Sequence, residues 1–168
     1  MAEIIAMIAN LALALSLVVA LIFGIAEVKA AARDRRERLT IETLRNFQTR
    51  NFAELLHFVN SHNMPSTSKE LEALPTPDRV SFIQFAQQME SLGIVVAEKL
   101  INIDLVDKTL GSFVTTAWQK YKKVFLDIRQ NQPDPFLGEY FQWLAEQIDE
   151  RMRNYPRTPF YQSGANLK

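Results

Sequence analysis

"IIAMIANLALALSLVVALIFGIA", Ile4 to Ala26, is a run of 23 residues without a charge, bracketed by Glu3 and Glu27. As a helix rising 1.5 Å per residue it would extend roughly 34 Å, enough for a hydrocarbon core of about 30 Å. A secretory signal would begin with a basic region and hold an apolar core of roughly 7–15 residues. Here the first basic residue is Lys29, behind the run, and the run is longer than that. The reading is a retained transmembrane helix over 4–26, preceded by a short external segment, 1–3.

Working outward, the C-terminal flank carries Lys29, Arg33, Arg35, Arg36 and Arg38, and the other flank carries no Lys or Arg. Such asymmetry places the basic side in the cytoplasm, so the expectation is a single-pass, N-out and C-in protein of the cytoplasmic membrane. Asp34 and Glu37 are interleaved with the arginines, giving Arg33–Glu37 and Asp34–Arg38 at i,i+4, the spacing of supporting pairs on an exposed helix. Residues 27–48 therefore read as a basic juxtamembrane helix or stalk. Its excess charge would favour anionic lipid headgroups by about 1 kcal/mol per basic residue near the surface. Nucleic acid is not expected as a partner. From residue 39 onward there are fourteen Lys and Arg against fifteen Asp and Glu, and a neutral domain gives no pull toward a polyanion.

Inside the span, Ala12, Ser16, Ala20 and Gly24 recur every fourth residue. Small residues at that spacing make a ridge that a second helix can approach closely, and Asn10 supplies an amide able to hydrogen-bond across such a contact. A homo-oligomer or a protein partner is expected there, beside the lipid bilayer itself.

After the stalk the apolar residues keep a helical period to residue 154, and no segment shows strand alternation. Thr49 caps a helix with Phe52, Leu55, Leu56 and Val59 on one stripe. Residues 60–78 form a Pro- and Ser-containing loop with a turn of helix near Lys69–Leu74. Thr76-Pro77-Asp78 reads as cap, first-turn proline and acid for a helix carrying Val80, Phe82, Ile83, Phe85, Met89, Val95 and Val96 toward Leu100. Gly93 counts against its continuity, at about 1 kcal/mol relative to alanine. A long helix follows Asp104 and Asp107, with Val106, Leu110, Phe113, Val114, Ala117, Tyr121, Val124 and Ile128 on its apolar positions. Asp134 and Pro135 open the last helix, whose stripe is Leu137, Phe141, Leu144 and Ile148. The fold class is all-α: one transmembrane helix continuing into a stalk, a bundle of four or five helices over 49–154, and a Pro-containing tail over 155–168. Trp118, Tyr121, Tyr140 and Trp143 would line either a pocket between the last two helices or the core between them.

Chemistry is hard to find. The absence of cysteine excludes disulfides, thiol catalysis and Cys-ligated zinc. The five glycines are scattered, so no phosphate-cradling loop is present. His57 and His62 are five apart and cannot face one metal from one helix. The acidic pairs, Asp104 with Asp107 and Asp149 with Glu150, read as helix-dipole or surface charges. No catalytic, cofactor-binding or metal-ligating residue is assigned, and the chain is not read as an enzyme.

Three blocks resemble a family of uncharacterised bacterial single-span proteins classed as a domain of unknown function. They are "VKAAARDRRERLTIETLRNFQTRNFAE", "MESLGIVVAEKLINIDLVDKTLGSFVTTAWQKYKK" and "IRQNQ…YFQWLAE", with Trp118, Arg129 and Trp143-Leu144-Ala145-Glu146 as their most distinctive points. The resemblance covers most of 10–150, whereas the loop at 62–77 and the tail look individual. It implies a bacterial, membrane-anchored helical domain and supplies no catalytic residues. The function expected is a non-catalytic membrane-anchored adaptor or accessory subunit. A membrane-tethered sensor of a small ligand is the alternative, and an enzyme with an unrecognised site comes third.

Overall fold

The structure, a computed structural model, describes residues 1–131 and 134–162. Among them are six α-helices and no strand: α1 (Ala2–Arg45), α2 (Arg50–Ser61), α3 (Ser68–Glu72), α4 (Thr76–Ala97), α5 (Ile103–Asn131) and α6 (Glu139–Asn154). Short 3-10 turns lie at Asn46–Gln48 and Phe160–Gln162. The all-α expectation holds. The chain divides into two compact units, Met1–Leu39 and Thr40–Lys168.

The first unit is helix throughout from Ala2, with every residue to Arg38 exposed. Arg33 and Glu37 form the expected i,i+4 pair, Nε to Oε1 at 3.0 Å.

The second unit begins earlier than the 49–154 bundle read from the sequence, because the last turns of α1 already belong to it. Thr40 and Leu44, four apart on one face, are buried, and the Thr40 hydroxyl accepts a hydrogen bond from the Asn102 amide at 2.9 Å. Helix α6 packs against both α4 and α5, α2 against α4, and α3 against α5. The centre is aromatic. Tyr121 stacks on Phe82 with ring centroids 4.2 Å apart, and Phe141 meets Trp118 at 5.2 Å and Tyr121 at 5.8 Å, both edge-on. Each such ring contributes about 1.5–3 kcal/mol on full burial, so the core rests on contributions from α4, α5 and α6 together.

Local signals explain several boundaries. The Thr49 hydroxyl accepts from the Phe52 amide at 3.3 Å, which starts α2 as expected. Its buried face is Phe52, Leu55, Phe58 and Val59, with Phe58 where Leu56 was expected. Thr67 caps α3 in the same way, accepting from Glu70 at 3.2 Å.

Other boundaries differ from the reading. Thr76 is the first helical residue of α4, not its cap: Pro75 holds the cap position and makes no side-chain cap bond. The helix stops at Ala97, short of Leu100, because Lys99 turns into the left-handed region at φ 57°. The amides of Lys99 and Leu100 then fold back on the Val96 and Val95 carbonyls, each at 3.0 Å. Gly93 does not interrupt α4. A Cβ there would collide with the Tyr140 carbonyl of α6, so this glycine lets two helices approach.

Helix α6 begins at Glu139, not Pro135; Asp134 instead closes a turn by accepting from the Phe136 amide at 3.1 Å. Val80, Ile83 and Phe113, placed on apolar stripes by periodicity, are exposed. Asp107, read as a dipole or surface charge, is buried. The expectations for residues 132–133 and for the tail beyond 162 lie outside the described residues.

Candidate functional site

The polar side chains that stand out in the bundle hold its parts together. Arg129, near the end of α5, donates from Nε to the Leu137 carbonyl at 2.8 Å and from Nη1 to Gln142 Oε1 at 2.6 Å. Gln142 in turn donates to Glu146 Oε1 at 2.8 Å, so two of the distinctive points, Arg129 and Glu146, brace the turn between α5 and α6. Glu90 of α4 accepts from the amides of Tyr140 at 3.2 Å and Phe141 at 2.8 Å. Lys120 of α5 donates to the Val59 carbonyl at the end of α2 at 2.6 Å. Asp127 accepts from the Ser68 amide at 2.7 Å, and that bond holds its carboxyl below the ordinary range. Glu90 had no sequence signal: its partner amides are fifty residues away and become adjacent only in the fold.

The four aromatic residues expected along α5 and α6 divide. Trp118 and Tyr121 are buried in the core, and the Tyr121 hydroxyl donates to the Phe82 carbonyl at 3.3 Å. Burial pushes that phenol well above its usual range. Tyr140 and Trp143 are half-buried on α6. Trp118 also borders a shallow groove of about 130 Å³ whose other walls include Lys122, Glu146 and Asp149. The structure thus places Trp118 and Tyr121 with Phe82, Phe125 and Phe141, and leaves Tyr140 and Trp143 outside that cluster's ring contacts.

Among the further concavities of the second unit are three with distinct linings. One of about 510 Å³ runs along α4 beside the end of α1, with amide and hydroxyl walls from Thr43, Asn46, Gln84, Gln87, Gln88 and Ser91. A crevice of about 210 Å³ is mostly apolar, between Leu71, Phe82, Ile83, Phe125, Ile128 and Leu137. The third lies along the chain past α6, lined by Lys108, Met152, Pro156, Arg157, Thr158 and Pro159. Among the described residues no three His, Asp or Glu side chains converge as metal ligands would. His57 and His62 are both exposed, and His62 Nδ1 lies 3.1 Å from the Phe58 carbonyl.

On the first unit, Asn10, Ala12, Ser16, Ala20 and Gly24 are all exposed, and a Cβ added at Gly24 would meet nothing within 4 Å. Lys29, Arg33, Arg35, Arg36 and Arg38 are likewise exposed. Taken together, the described residues define an all-α fold with one helix among them long and apolar enough to cross a membrane, and a helical domain with a closed aromatic core. The chain belongs to the family described as Domain of unknown function (DUF4760), whose profile matches residues 12–148. No curated protein and no solved structure matches it.

Proposed function

We propose that this chain is a membrane-anchored, non-catalytic adaptor or accessory subunit of the bacterial cytoplasmic membrane. It crosses once, with its N-terminus outside and the helical domain inside. The observation that carries the reading is the helix through 4–26, where more than a dozen large apolar side chains are exposed. Each forgoes about 1.5–3 kcal/mol if left in water, so the run calls for a bilayer around it. Lys29 and the four arginines behind it favour the cytoplasmic side and anionic headgroups. The ridge of Ala12, Ser16, Ala20 and Gly24, with Asn10, suits close packing against a second copy or a membrane subunit. The adaptor role is supported by the second unit, where Arg129, Glu90, Lys120 and Asp127 are engaged in joining helices.

Because the chain lacks cysteine, single cysteines report its topology cleanly. Alkaline carbonate should leave the protein in the membrane pellet, with an intact mass that retains residues 1–26. An Ala2→Cys variant should react with an impermeant maleimide on whole cells, and an Asn60→Cys variant only after permeabilisation. Release into the supernatant, or a mature chain without 1–26, rejects the anchor; reversed labelling rejects the orientation. The apolar crevice between Ile83 and Leu137 favours a second reading, a membrane-tethered sensor of a small apolar ligand. An Ile83→Trp variant that fills the crevice should then abolish the response to such a ligand and leave membrane retention unchanged.

A further inference from the structure

Asp107 is 6% exposed in the second turn of α5. A carboxylate at that depth requires a cation or donors, since an unpaired buried charge is strongly destabilising. Its space is made by Gly111, one turn further on: a Cβ there would lie 2.6 Å from Asp107 Oδ1 and 3.3 Å from Ile148 Cγ2 of α6. A glycine inside a helix costs about 1 kcal/mol relative to alanine, and here it leaves room for the acid. The cation comes from outside the bundle. Arg157, past the end of α6, brings Nη2 to 3.3 Å from both the carboxylate Oδ1 and the main-chain carbonyl of Asp107.

These contacts are longer than the 2.7–2.9 Å of a tight charge-assisted pair. The segment around Arg157 is otherwise open to solvent: Tyr155 is 79% and Tyr161 84% exposed, and a groove of about 830 Å³ runs along Pro156–Pro159 beside Lys108 and Met152. A buried acid seated against a glycine is therefore met by an arginine on an exposed segment.

We infer that Tyr155–Pro159 is a detachable strap and that Asp107 with Gly111 forms a receptor for an arginine side chain, which an arginine-bearing polypeptide of a partner occupies in place of Arg157. Charge complementarity selects the occupant. A carboxylate oxygen and a carbonyl side by side suit a guanidinium, which spreads several donors over one plane. Vacating the receptor leaves a buried charge, whereas exchanging one arginine for another does not, so exchange is the low-cost route. The strap is covalently tethered at a high effective concentration, so a partner must outcompete it or be tethered nearby itself. The inference supplies docking chemistry for the adaptor reading and rests on it only in taking the partner to be a protein.

The test uses the full chain in detergent and a dye-labelled peptide of its own strap, YPRTPFYQ, read by fluorescence anisotropy. An Arg157→Ala variant should bind the peptide about tenfold or more tighter than the wild type, whose receptor is filled. A peptide with alanine at the arginine position should bind the same variant about tenfold more weakly, and Asp107→Asn should remove the difference between the two peptides. Equal binding by wild type and Arg157→Ala, or by the two peptides, overturns the inference. If the variants fail to fold by circular dichroism, a Lys108→Cys/Thr158→Cys disulfide decides instead. The locked strap should exclude the peptide and reduction should readmit it; equal binding in both states is again contrary. Failure of membrane retention would leave this result standing, and failure of peptide binding would leave the anchor standing.

Discussion

Gly138 precedes α6 at φ 69°, and a Cβ there would lie 2.6 Å from the Phe125 ring. A residue with a capping side chain is therefore disfavoured twice at this position, by backbone and by packing. The missing cap is supplied across space by Glu90, whose two oxygens take the amides of Tyr140 and Phe141. Replacing it by Glu90→Ala should lower stability by about 1–2 kcal/mol in urea or guanidinium melts, with Glu90→Gln recovering part of the loss through its amide oxygen. An unchanged midpoint for Glu90→Ala would deny it the capping role. At this scale the sequence was least readable. Gly93 and Asp107 were visible as residue types, but what decides each is a neighbour far along the chain: the Tyr140 carbonyl for one, Arg157 for the other. Local propensity counts Gly93 as a cost and has no means of seeing the close helix contact that it permits.

Among the elements, α3 depends most visibly on a neighbour. It is five residues long, below the length at which helices are stable alone, and its first amide is held by Asp127 of α5. The Ser68 amide and hydroxyl, with Asn131 and Lys69, keep that carboxyl ionised to lower pH than an ordinary aspartate. The unfolded chain therefore takes up this proton at higher pH than the folded one. The contribution is fully present above the ordinary carboxylate range and is lost as pH falls through the folded value. In an acid titration followed by NMR, the Ser68 amide resonance should move with a midpoint below that of an ordinary aspartate; a midpoint at the ordinary value would contradict the contact. Element existence was largely readable, since α2, α4, α5 and α6 each carry a helical period and Thr49 caps as its type prefers. Element ends were readable only where the cap was local. The start of α6 was misplaced because Asp134 serves a turn while the true cap lies on α4.

For the molecule as a whole, the apolar run through 4–26 and the change of composition after it were open to inspection in the sequence, and the two units of the fold follow that division. If the small-residue ridge packs against a second helix, Ala20→Ile with Gly24→Ile should reduce self-association or partner retention in membranes, measured by cross-linking, while extraction behaviour is unchanged. Cross-linking equal to the wild type would remove the ridge from the proposal. The aromatic core has a bearing on synthesis. Phe141 is fully buried among Phe85, Trp118 and Tyr121, so a ring at the middle of the aromatic core arrives on α6, after α4 and α5 have been made. A nascent chain halted before that point can form the Phe82–Tyr121 stack between α4 and α5 but lacks the ring that meets Phe85, Trp118 and Tyr121 together. Nascent chains of this protein should stay protease-sensitive until α6 emerges and then become resistant in a single step.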